Sequence, residues 1–141
     1  MAGPAAPRDT AVITHHAIPQ DELPFEEAGY RPQDAPRHVA RLTGPLALEQ
    51  SRASIWRYPP GARGRRHIEH AQEEVFVVLE GTITIMAGEP PEPVTVAAGG
   101  VASISTGTPL QVRNESDREA RLLVWGAPPE QGKAEHLDDL P

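Results

Sequence analysis

Gly61-Ala62-Arg63-Gly64-Arg65-Arg66-His67-Ile68-Glu69-His70-Ala71-Gln72-Glu73-Glu74, running on through Val75-Phe76-Val77-Val78-Leu79-Glu80 to Gly81, decides the fold of this 141-residue chain. Its first half is turn-like and charged. Its second half is an apolar, β-branched run that stops at a glycine, which reads as a strand ending in a tight turn. Two histidines and two carboxylates, His67, Glu69, His70 and Glu74, are thereby placed on the approach to one strand. Imidazole and carboxylate ligate Zn, Mn, Fe, Cu and Ni and also serve acid–base chemistry, so a chemical site would be built here. Composition alone does not decide between a metal and a proton.

Working outward, short β-rich runs alternate with Gly and Pro. Residues 53–58 form a strand stopped by Pro59-Pro60-Gly61, because proline cannot donate to a ladder and glycine supplies the turn. Residues 74–79 and 82–86 make a hairpin through Glu80-Gly81, and 93–96, 101–104, 110–113 and 120–125 complete the set. Several runs are apolar on both faces, as in a sheet packed against a second sheet or a partner. No segment has the length and period of a long helix. The fold class is all-β, an antiparallel barrel or sandwich over residues 46–126. Residues 1–45 are rich in Pro, Ala and charge and read as a tail or as an arm lying on a neighbouring surface such as a dimer partner's; residues 127–141 read as a polar tail.

Length and composition set the outer bounds. The chain suffices for one domain with one core. With no cysteine, disulfides, thiolate zinc sites and iron–sulfur clusters are excluded. A formal charge of −7 argues against a nucleic-acid surface, despite the local basic group Arg63, Arg65 and Arg66. Met1-Ala2-Gly3-Pro4-Ala5-Ala6-Pro7 has no apolar run behind it, so no signal peptide is expected. No run is long enough to span a membrane, and a soluble cytoplasmic protein is the expectation.

Gly61, His67, Glu74 and Gly81, followed by Gly99, Gly107 and Asn114, carry the spacing of the two motifs of the cupins, and over residues 46–125 the chain resembles that family. The resemblance implies a small jelly-roll barrel, or double-stranded β-helix, and a homodimer. It also implies a metal site made by two histidines and a glutamate of the first motif and one histidine of the second. Here Glu69 stands at the second of those histidines and Leu110 at the third, while Ser105 replaces the second motif's proline.

Three chemistries remain open for the barrel interior, where Arg65, His67 and Glu69 share strand parity and Glu74 joins from the next strand. His67, Glu69 and Glu74 could hold a divalent metal (Mn, Fe, Zn or Ni) weakly. Alternatively Arg65 pairs with Glu69 or Glu74 and the cluster needs no metal, since a cation from the protein can neutralise buried carboxylates. Or the polar cluster binds the head of a small organic, by its basic neighbours anionic, molecule, with Trp56 and Leu110 as apolar wall. The missing ligands favour a metal-free binding protein without redox chemistry. The alternative is a metal-dependent dioxygenase, isomerase or decarboxylase, and for a metal-free enzyme His67 would be the base oriented by Glu74. His70 points away by alternation. His15, His16, His38 and His136 lie in polar flanks and are expected in solvent, whereas Asn114 is expected to cap a turn.

Overall fold

Alternation along residues 73–80 sorts the barrel. Glu74, Phe76 and Val78 are buried, while Glu73, Val75, Val77 and Leu79 face outward to differing degrees. That is the period of two expected of a strand with one face on a core. The computed structural model describes residues 14–129 and 134–141. Among them lie β1 (Phe25–Ala28), β2 (Arg37–Arg41), β3 (Arg52–Tyr58), β4 (His67–Ile68), β5 (Glu73–Glu80) and β6 (Thr82–Ala87). They are followed by β7 (Glu92–Ala97), β8 (Val101–Ile104), β9 (Leu110–Arg113), β10 (Ala120–Ala127) and β11 (Glu135–His136). The only helical element among the described residues is a single 3-10 turn at Gln20–Glu22.

The strands form two antiparallel sheets, one of six strands in the order β1-β2-β3-β10-β5-β8 and one of five in the order β11-β4-β9-β6-β7. Sequence-distant neighbours such as β3 and β10, or β6 and β9, give the jelly-roll crossing pattern expected from the spacing. Between the sheets lie Phe76, Val78, Ile83, Ile85, Leu110 and Leu122, each at most 2 % exposed. Fully burying a side chain of this size is worth about 1.5–3 kcal/mol. Gly81 turns β5 into β6 with φ 72°, and a Cβ there would meet the Glu119 carbonyl at 2.6 Å. Only glycine satisfies both conditions.

The flanks differ from expectation. Residues 25–28 and 37–41, expected in an arm, are β1 and β2 of the six-stranded sheet, and Val39 and Ala40 are fully buried. β2 pairs with β3 through His38↔Arg57, Val39↔Trp56, Ala40↔Ile55 and Arg41↔Ser54. Its run Arg37-His38-Val39-Ala40-Arg41 is too short to show a period among prolines, but β3 offers it an unpaired edge, and backbone pairing decides. The C-terminal tail likewise gives β11, which pairs with β4 through Glu135↔Ile68 and His136↔His67. The heptapeptide Met1 to Pro7 lies outside the described residues. No helix among the described residues is long and apolar enough to cross a membrane.

Candidate functional site

The two sheets enclose a cavity of about 630 Å³ beside the core. Its wall includes His67, Glu69, Gln72, Glu74 and Arg65, with apolar surface from Trp56, Phe76, Val112, Leu122 and Val124. Arg37, Arg41, Ser54, Tyr58 and His136 complete much of the remainder.

One group is acidic around a single imidazole. β4 presents His67, the chain just beyond it carries Glu69, and β5 brings Glu74 inward, buried at 7 % exposure. His67 Nε2 stands 3.7 Å from a Glu69 oxygen and 3.6 Å from Glu74 Oε1. The other ring nitrogen, Nδ1, lies 3.0 Å from the Arg65 carbonyl. A carbonyl only accepts, so Nδ1 carries the hydrogen and donates it, and Nε2 is turned toward the carboxylates. Burial by itself would lower the His67 pKa. Glu74, the Arg65 carbonyl and Glu69 outweigh it and hold the imidazole above its ordinary value of 6.5. At 3.6 Å the Glu74 contact is charge attraction rather than a good hydrogen bond, and Glu74 Oε1 has no hydrogen-bond partner among the described residues.

These three side chains could hold a metal, since one donor atom from each lies within 4.8 Å of the others. The donor set fits a cation physically. The Nδ1–H···O=C bond is the outer support a ligating histidine usually has, and the orphaned Glu74 oxygen is an acceptor needing a positive neighbour.

A second group is cationic and aromatic. Arg37 of β2 is 9 % exposed, with its guanidinium carbon 4.7 Å from the centre of the Trp56 ring and 5.4 Å from that of Tyr58. Arg37 Nη1 donates to the Tyr58 hydroxyl at 3.2 Å. Among the described residues no carboxylate forms an ion pair with it. Gly64 permits this arrangement, because a Cβ there would lie 2.7 Å from the Tyr58 hydroxyl and 3.0 Å from Arg37 Nη1. Tyr58 is buried, which pushes its phenol pKa up despite the neighbouring Arg37.

The structure places the residues singled out by sequence as follows. Trp56, Arg65, His67, Glu69 and Glu74 border the cavity, and Trp56 also packs against the core. Leu110 does not border it: although it pairs with His67 across β4 and β9, its side chain is 1 % exposed within the core. Arg65 makes no ion pair with Glu69 or Glu74 among the described residues. It is exposed, bonded to His136 Nδ1 at 2.8 Å and stacked over Tyr30. β4 has only two residues, so strict alternation does not carry back to Arg65.

His15 and His16 are exposed, and so is His70, which points away from the cavity and faces Glu135 at 3.4 Å. His38 is half-buried in β2 rather than free in solvent, and His136, though exposed, borders the cavity. Arg63 of the local basic group reaches Asp139 at 3.3 Å, and Gln111 is wholly buried beneath the tail, donating to the same carboxylate at 2.6 Å. Asn114 caps its turn, accepting from Ser116 and donating to the Tyr58 and Arg118 carbonyls. Sequence reading missed Arg37, Tyr58, Gln72 and His136. Arg37 and His136 sit in strands that show no period, and Tyr58 closes a strand by a proline pair.

Comparison with known proteins agrees with this architecture. The Cupin domain family matches residues 54–126. Auxin-binding protein 4 of Zea mays is 28 % identical over 140 residues, covering 92 % of this chain and 64 % of that protein. A sugar phosphate isomerase from Silicibacter pomeroyi is 28 % identical with a TM-score of 0.59, over 64 % of this chain and 59 % of that one. The chain thus spans less than two thirds of the length of either. The polyketide cyclase RemF from Streptomyces resistomycificus superposes at a TM-score of 0.74 over 90 % of this chain and 88 % of its own, at 16 % identity, a likeness of fold.

Proposed function

The chain belongs to the cupin family, and on that premise we propose that its barrel binds a small organic anion without redox chemistry. The observation that carries this is Arg37, a buried cation in the cavity wall whose neighbours are aromatic faces and a hydroxyl. A guanidinium offers five donors in a planar fork matched to carboxylate or phosphate, and a buried charge calls for a partner. Trp56, Phe76 and Leu122 offer an apolar body the matching surface. A sugar phosphate, the substrate class in the name of the Silicibacter neighbour, carries such an anion. The test is calorimetric titration with small carboxylates and phosphates alongside their neutral amides or alcohols. Anions are expected to bind and raise the melting temperature while neutral analogues do not; equal binding of both would refute the proposal.

A second reading, a metal-dependent cupin enzyme of the isomerase, decarboxylase or dioxygenase type, is favoured by one observation. His67 is held by its Nδ1 hydrogen with Nε2 toward two carboxylates. Bound there, a divalent metal would supply Lewis acidity. Elemental analysis of protein purified without added metal or chelator tests it, since stoichiometric Mn, Fe, Ni or Zn that disappears in Glu74→Ala would establish the site.

The outer face of the six-stranded sheet supports homodimerisation. Leu79, Val101 and Trp125 are 47 %, 65 % and 41 % exposed, and alternation puts them on the face of Val75 and Val77. Light scattering of wild type and Val101→Lys tests it, with a monomer expected for the variant.

A further inference from the structure

His67 has two cross-strand neighbours, and their identities matter. On one side, across β9, stands Leu110; on the other, across β11, stands His136. Residues directly opposed in an antiparallel pair project to the same face, with Cβ atoms roughly 4.5–5.5 Å apart. Leu110 offers no donor atom. His136 does, and it borders the same cavity as His67, Glu69 and Glu74.

We infer that β11 supplies the fourth ligand of the metal site, so that His67, Glu69, Glu74 and His136 together bind one divalent cation. The inference rests on the metal-binding reading above and adds to it the C-terminal strand as part of the site.

The strand is held where this needs it. Leu137 donates its backbone N–H to the Arg66 carbonyl at 2.8 Å, extending the pairing past His136. One residue earlier Glu135 faces His70 at 3.4 Å, and beyond it the Asp139 carboxylate accepts from Gln111 at 2.6 Å and from Arg63 at 3.3 Å. His136 is therefore an exposed side chain on a backbone held by its neighbours. Its Nδ1 takes a hydrogen bond from Arg65 at 2.8 Å, which leaves that nitrogen as acceptor with a lone pair toward a cation. As it stands His136 lies outside the compact His67, Glu69 and Glu74 group, so joining it requires His136 to leave Arg65 and turn toward them.

Two imidazoles and two carboxylates are a ligand set for Zn, Fe or Mn. The carboxylates cancel the cation's charge, which a site in a buried wall requires. The second imidazole would arrive from a strand that pairs with β4 on the side away from β9.

The experiment uses the full chain and Zn²⁺ alone. Calorimetric affinity is measured for wild type, His136→Ala and Glu74→Ala, with X-ray absorption on the zinc-loaded proteins counting imidazole ligands. The expected result is two imidazoles in wild type and one in His136→Ala, with affinity weakened at least about tenfold. His136 is exposed, so the variant keeps its core, which thermal melting verifies. Tight binding lost in Glu74→Ala but unchanged in His136→Ala, with one imidazole throughout, would overturn the inference while leaving the three-residue site intact. No binding in wild type would overturn both.

Discussion

Two charged regions of the cavity wall solve the cost of burial differently. Around His67, the Glu69 and Glu74 carboxylates find their counter-charge within the protein, as an imidazole held ready to carry a proton. Around Arg37 there is no such internal partner among the described residues; its charge rests on the Trp56 and Tyr58 rings and one hydroxyl. Cation–π contact with a desolvated arginine is worth about 2 kcal/mol, less than a paired charge regains. The acidic region is closed in part, with one internal counter-charge for two carboxylates, and the cationic region is open to an anion from outside.

The largest expected effect strikes the open region. Arg37→Ala removes hydrogen bonds to a charged ligand group worth about 1.5–3 kcal/mol, or roughly 10- to 150-fold in affinity for carboxylates or phosphates by calorimetry. The same affinity in wild type and variant would end the contrast between the two regions. Next comes the closed region. Glu74→Gln keeps the shape and removes one charge, so the His67 pKa, followed by NMR, is expected to fall toward its ordinary value. An unmoved titration would mean that Glu74 does not hold the proton.

The wild-type pH profile sharpens the point. Because the folded His67 pKa is raised above 6.5, its stabilisation is complete below that value and is lost as pH rises through the folded pKa. Denaturant unfolding across that window is expected to show stability falling toward alkaline pH, and the slope is expected to vanish in His67→Gln. The smallest effect concerns the tail. Burial alone would raise the Asp139 pKa, but Gln111 and Arg63 outweigh it and hold the carboxyl below 3.8. Its contribution is therefore present above that pH and lost as pH falls further. Asp139→Asn at neutral pH is expected to cost no more than about 1 kcal/mol, read as faster amide exchange at Leu137 with little change in melting temperature.

The closed region was legible in the sequence and the open one was not. His67, Glu69 and Glu74 lie within eight residues of one motif, and turn glycines with β-branched runs fix their strand register. Six of the seven strands expected between residues 46 and 126 fall within one residue of the observed bounds at both ends, and β8 and β9 match in full. The remaining one, β10, begins as expected at Ala120 and runs on to Ala127. Arg37 could not be placed the same way. Its strand has five residues, lies between Pro36 and Pro45, and owes its existence to the exposed edge of β3, a partner defined only by tertiary structure. The inward pairing imagined for Arg65 failed for a related reason: it assumed a strand continuing where β4 has only two residues.

The flanking strands have a consequence for how this barrel could be altered. Ala28, Arg37, Arg41 and Arg52 precede the family-matched stretch, and His136 follows it, yet all border the cavity. A fragment cut to residues 54–126 would retain the whole core cluster between the sheets and lose a large share of its binding wall. Conversely, exchanging residues near either terminus could redirect what the barrel accepts while leaving Phe76, Ile83, Ile85 and Leu122 packed as they are. Ligand screens are therefore best run on protein that keeps both flanking strands.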